Sequence, residues 1–237
     1  MAKKRIILFI VEGPTEETSL STVLNRIFSS DQVRFQVVHG DILTHDFVNS
    51  DEIVKAVNQQ VKDFRGQIYK PSDILRIIHL ADMDGAFIPN EAVILEEQEY
   101  RSYPIYTETQ ILTDNPQGII SRNARKQQNI NRLSARGKIG GIPYSFYYFS
   151  CNLEHVLHNQ KNLSEEEKIS CADAFDVKYA TDPDAFIHFM RDEPFAVPGS
   201  YSETWNFIKE GTNSLERYTN FGLALPEKSE WEPDLEE

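Results

Sequence analysis

Arg5-Ile6-Ile7-Leu8-Phe9-Ile10-Val11-Glu12-Gly13-Pro14 is the stretch from which the fold can be read. Its six consecutive apolar residues, without polar alternation, suit a strand buried on both faces, as in a parallel sheet. The basic residues before them invite comparison with a secretory leader. The apolar run is too short for one, however, and Glu12 ends it with no small-residue cleavage site. Pro14 fits the first position of a helix, and Glu16 and Glu17 then fall in its first turn, where the helix dipole favours acids. Leu20, Val23, Leu24, Ile27 and Phe28 recur at the spacing of one face of an amphipathic helix.

Outward from this unit the pattern repeats. A second strand is expected at 33–38, and Ile53, Val57, Val61 and Phe64 mark a second helix. Residues 74–81 form a third apolar strand, ending at Asp82-Met83-Asp84-Gly85. The β-α-β-α-β alternation predicts an α/β fold with a Rossmann-like central parallel sheet, flanked by helices and joined by right-handed crossovers. A fourth strand is expected at 144–149, followed by a helix from Asn152 to His158. Further helical signals lie at 165–174 and 183–191. The stretch 88–141 has weak periodicity and reads as an insertion or lid, helical in part, within a single domain spanning 1–237. No internal repeat is visible.

Composition bounds the function. The chain has 237 residues, 40% of them hydrophobic and 11% aromatic, which fits one large folded domain. A net charge of −13 argues against coating nucleic acid through the overall field, but leaves room for a locally basic groove. The stretch 226–237 holds six acids against one lysine and reads as a solvated acidic tail. Cys151 and Cys171 form neither a disulfide framework nor a CxxC pair. No run approaches the roughly 20 apolar residues of a membrane span. A soluble, cytoplasmic protein with no membrane partner is therefore expected.

Sites in open α/β sheets form at the carboxyl ends of strands. Here those ends carry Glu12, Asp82 and Asp84. Strand alternation would put Asp82 and Asp84 on one side of the sheet, with Gly85 permitting a sharp turn. Clustered carboxylates are costly to bury unpaired, and a hard cation such as Mg²⁺ relieves that cost. The counterpart is the acid-free block 121–140, with Arg122, Arg125, Lys126, Arg132, Arg136 and Lys138. Arg122, Arg125, Lys126 and Arg136 are candidates for gripping phosphates, with glycines 137, 140 and 141 letting the segment move. A solvated helix face is the plainer reading. Tyr103, Tyr106, Tyr144, Tyr147 and Tyr148 could stack bases, though packing accounts for most of them. His155 and His158, three apart on a helix, read as ordinary helix residues, and His39 and His79 as strand-end or core residues.

Val11-Glu12-Gly13-Pro14-Thr15-Glu16 followed by Asp82-Met83-Asp84 resembles the Toprim domain of topoisomerases, bacterial primases and OLD-type nucleases. The VEGxTE form is most similar to the OLD-type and RloB-like branch, associated with phage defence. The resemblance covers residues 5–85 and extends weakly to the segment 148–154. It implies metal-assisted phosphoryl transfer. Asp82 and Asp84 would hold Mg²⁺ or Mn²⁺. Glu12 would act as general base, or as a ligand when a second metal binds, with Glu16 and Glu154 as candidates for that second position. With no room for a strand-passage or template-binding module, water is the simplest nucleophile. The expected activity is thus a nuclease acting on DNA or RNA. Such proteins often work beside a partner ATPase, and this chain has no GxxxxGK[ST] loop of its own. A homo-oligomer is also open. Two rivals stand beside this expectation. One is a haloacid-dehalogenase-type phosphatase using Asp82 and Asp84, which leaves Glu12 and Glu16 unexplained. The other is a non-catalytic interaction or regulatory module.

Overall fold

Strict division of labour along β1 (Ile6–Val11) organises the molecule. Ile7, Phe9 and Val11 enter one apolar cluster, while Ile6, Leu8 and Ile10 enter another on the opposite face of the sheet. Successive side chains of a strand point to opposite faces, so an unbroken apolar run is what a central strand with helices on both sides requires. The computed structural model describes residues 5–45, 51–97 and 104–227. In chain order β1 is followed by α1 (Pro14–Ile27), β2 (Gln32–Val37), α2 (Glu52–Arg65) and β3 (Ile74–Asp82). Next come β4 (Val93–Leu95), β5 (Ile105–Tyr106), β6 (Ile111–Thr113), α3 (Pro116–Ser134), β7 (Lys138–Ile139) and β8 (Ile142–Phe149). The remaining helices are α4 (Leu153–His158), α5 (Glu165–Tyr179), α6 (Pro183–Asp192) and α7 (Tyr201–Phe207).

The main sheet has the order β2-β1-β3-β8-β7. Its first four strands run parallel, and β7 is antiparallel to β8. Leu20, Val23, Leu24 and Ile27 of α1 cover one face together with Phe175 of α5 and Phe186 of α6. Ile53, Val57 and Val61 of α2, Ile130 and Leu133 of α3 and Trp205 of α7 cover the other. The result is a Rossmann-like α/β sandwich with a mostly parallel sheet. No helix among the described residues is long and apolar enough to cross a membrane.

Several boundaries differ from the sequence reading. The second strand starts and stops one residue earlier than 33–38, and the fourth parallel strand starts at Ile142. The stretch 88–141 contains a small three-stranded sheet of order β4-β6-β5 and then α3. By its core contacts, α3 is the crossover helix between β3 and β8. Gly140 and Gly141, expected to give mobility, are the two central residues of the β7–β8 hairpin, with φ of 58° and 83°. Positive φ at both positions is what a tight hairpin demands. Of the acidic tail 226–237, residues 228–237 lie outside the described residues, as does Tyr103.

Candidate functional site

From β1 the chain moves to β2 on one side, then to β3 on the other. The winding reverses between β1 and β3, and in open α/β sheets ligands bind in the crevice at such a point, beyond the strands' carboxyl ends. Glu12 directly follows β1, and Asp82 is the last residue of β3. Glu16 lies in the first turn of α1, and Glu154 in the first turn of α4, just past β8. Both are buried. The topology thus brings together four of the five expected metal ligands, and Asp82 feels the negative charge of Glu12, Glu16, Asp84 and Glu154.

Asp84 reaches the crevice by a different route from the one expected. The strand stops at Asp82, so alternation no longer governs position 84. Asp84 and Gly85 both take left-handed backbone, with φ of 48° and 66°. The turn is closed by the Ala86 amide donating to the Met83 carbonyl at 2.8 Å. The Asp84 amide donates to the Cys151 carbonyl at 2.7 Å, and the Gly85 amide to the Ser214 carbonyl at 3.1 Å, which pins the turn to the end of β8. A non-glycine residue at positive φ is uncommon, and such strain persists where surrounding bonds over-determine it.

This turn presents Asp84 to α3. Lys126, with a side chain 0% exposed, places its Nζ 2.5 Å from Asp84 Oδ2 and 2.7 Å from Asp41 Oδ2. Arg122 donates to the Asp84 carbonyl at 2.8 Å and to the Tyr106 hydroxyl at 2.9 Å. The Tyr106 hydroxyl also helps to lower the Asp84 carboxyl pKa. Burial alone would strip the Lys126 charge, but Asp84, Asp41 and Glu12 together raise its pKa well above the lysine value. Burial likewise pushes Asp84 upward. Lys126 and Arg122, with hydrogen bonds from Lys126 and Tyr106, outweigh it and hold Asp84 below the usual carboxylate range.

The crevice therefore has two electrostatic halves. Beside α3 every carboxylate has a cationic partner. On the other side, Glu12 Oε1 and Asp82 Oδ1 are buried with no hydrogen-bond partner. Burial raises both groups well above their ordinary range. Lys126 draws Glu12 back in part, and the neighbouring acids push both further up. Burial also lifts Glu16 to about 7, with the charge of Glu154 adding to the rise, and it raises Glu154 itself. Unpaired buried carboxyl oxygens call for a ligand, and hard oxygen donors match Mg²⁺ or Mn²⁺. Their spacing is not a ready cage. Among the described residues no group of three or more His, Cys, Asp or Glu side chains is arranged to hold a metal ion. An ion would have to draw Glu12, Asp82 and Glu16 inward.

Of the four cations expected to grip substrate, Arg122 and Lys126 stand at this site, turned onto its own acids. Arg125 donates to the Thr44 carbonyl at 3.0 Å, beside the 3₁₀ turn Ile42–Thr44. Arg136 joins Arg132 on exposed Asp51, at 3.1 Å. A cleft of about 490 Å³ opens beside the crevice. Asp82 and Asp84 lie on its lining, along with Tyr106, Asn152, Asn162 and Lys168. Sequence reasoning missed Asp41 and Lys168. Asp41 had a signal, an acid after the second strand, where its side chain also caps the 3₁₀ turn by accepting from the Leu43 amide at 2.8 Å. Tyr144, Tyr147 and Tyr148 are core residues. His79 is buried as well, bonded to the Tyr144 hydroxyl at 2.8 Å. No family profile, curated protein or solved structure matches this chain.

Proposed function

We propose that the protein is a divalent-metal-dependent phosphodiester hydrolase acting on DNA or RNA, of the kind to which its Toprim-like motifs point. The observation that carries this reading is the pair of orphaned buried oxygens, Glu12 Oε1 and Asp82 Oδ1, at the topological reversal of the sheet. Asp82 and Glu12 would hold Mg²⁺ or Mn²⁺, with Glu16 and Glu154 next to them. When bound, such an ion supplies Lewis-acid polarisation of a phosphoryl oxygen. Glu12 would take the proton of the attacking water. Lys126 and Arg122 fix Asp84 and the turn that carries it, so the wall beside Asp82 does not shift during reaction. The adjoining cleft would give the polynucleotide a path past the acids, with Lys168, ion-paired to Glu165 at 2.9 Å, on its lining.

The test is cleavage of plasmid, single-stranded DNA and structured RNA in Mg²⁺ or Mn²⁺. Asp82→Asn should abolish cleavage and leave the circular-dichroism spectrum unchanged. A protein that cuts none of these, and shows no calorimetric divalent binding, is not this enzyme. One observation favours a second reading, a non-catalytic interaction module. Asp84 and Asp41 are already ion-paired with Lys126 without any metal ion. That reading requires Asp82→Asn to leave function intact while a protein partner co-purifies.

A further inference from the structure

We infer that the crevice takes one divalent ion rather than two, because the Lys126 ammonium holds the position a second cation would occupy. The inference rests on the hydrolase reading above and departs from the pattern its motifs suggest, in which both aspartates of Asp82-Met83-Asp84 serve metal. A fully buried lysine is rare unless paired. Here the pairing is double, to Asp84 Oδ2 at 2.5 Å and Asp41 Oδ2 at 2.7 Å, with Glu12 as a third negative neighbour. These are the surroundings of a cation site, and the cation is covalently part of the chain.

Four further contacts make the ammonium hard to displace. Asn123 donates to the Gly85 carbonyl at 3.4 Å and Gln127 to the Ala86 carbonyl at 2.6 Å, while Asn129 donates to the Leu43 carbonyl at 2.7 Å and Arg125 to that of Thr44 at 3.0 Å. Residues on either side of Lys126 thus fasten α3 to the loops after β2 and β3, the loops that carry Asp41 and Asp84. Pulling Lys126 out to admit an ion would strand a charge or break this strap, and removing one partner of a buried pair is strongly destabilising. Glu12 feels the Lys126 charge, but its Oε1 and Asp82 Oδ1 accept no hydrogen bond from Lys126 or from any other described group. An external cation would bind on the side of those two oxygens, and Asp84 belongs to the lysine.

Titration of the full-length chain with Mn²⁺, followed by calorimetry, reads the stoichiometry directly. One ion per chain is expected. Two ions with cleavage intact overturns the single-ion inference and leaves the hydrolase reading standing, whereas no binding at all removes both. Paired variants give a second readout that needs no activity. Asp82→Asn should weaken Mn²⁺ by more than about ten-fold, while Asp84→Asn, which leaves Lys126 paired with Asp41, should weaken it far less. Equal losses in the two variants would show Asp84 to be an ion ligand and sink the inference. Lys126→Met should admit a second Mn²⁺, and Lys126→Arg should not. Should Lys126→Met fail to fold, the aspartate pair still decides the matter.

Discussion

Asp82 closes β3, next to Glu12, and one of its carboxyl oxygens is buried without a hydrogen-bond partner. Its folded-state pKa lies above its ordinary value of 3.8, so the folded chain binds more protons than the unfolded chain as pH rises past that value. Stability must then fall as pH rises through that window. Replacing the carboxylate with a neutral amide of the same shape removes this cost. At pH 8 without divalent ions, Asp82→Asn is expected to raise stability by about 1–2 kcal/mol, or roughly 2–8 °C in a chain of this size. The gain should vanish near pH 3. Thermal melts at both pH values check it, and destabilisation at pH 8 would show that the carboxylate has a partner. At this scale Glu12, Asp82 and Asp84 were legible because each ends or follows an apolar run. Asp41 and the partners of Lys126 were not, and Tyr106 was legible only as a ring that could stack a base. Their contacts join residues 16 to 85 positions apart, from Arg122 with Tyr106 to Lys126 with Asp41.

The turn after β3 and the helix α3 show how far elements could be read. β1, α1, β2, α2 and β3 declare themselves by period, since each buries a continuous face. α3 does not, because the stripe it buries is largely polar. Asn123, Lys126 and Asn129 are buried beside Ile130 and Leu133, so a hydrophobicity pattern sees little. The three strands of the small sheet, two or three residues each, are too short to carry a period. The Asp82-Met83-Asp84-Gly85 turn was visible as a turn, but its left-handed pair was not. Gly85 sits at φ 66°, and a Cβ there would lie 2.5 Å from Leu215 Cδ2. Gly85→Ala therefore meets both backbone strain and a collision with Leu215. It is expected to cost about 1–3 kcal/mol in urea unfolding, and to displace Asp84 from Lys126. Unchanged stability would mean the turn relaxes freely and does not position the aspartate.

At the scale of the whole molecule, the order of strands turns separate acids into one site. The reversal between β1 and β3 was implicit in the β-α-β-α-β alternation, which required a parallel sheet but not the side to which each strand was added. Register decided the rest, aligning Ile10 with His79 and Asp82 with Phe149. The net charge of −13 does not create this crevice; four carboxyl groups brought together by the sheet do. Their common electrostatic state makes the fold itself a reporter of ion binding. An ion that binds only the folded chain, supplied at 100 times its dissociation constant, stabilises it by about 2.7 kcal/mol. That corresponds to roughly 5–11 °C in melting temperature. Protons compete for the same oxygens, because metal ligands must be deprotonated. Glu16 titrates at about 7, and Glu12, Asp82 and Glu154 are all raised. If these carboxylates hold Mn²⁺ as proposed, its affinity should fall as pH drops below 7. At a fixed Mn²⁺ concentration the upward shift of the melt should be large at pH 8, small at pH 6, reversed by a chelator, and missing in Asp82→Asn. A shift equal at both pH values would place the ion away from these carboxylates, for the proton competition follows from the grouping of the acids and from nothing else in the fold.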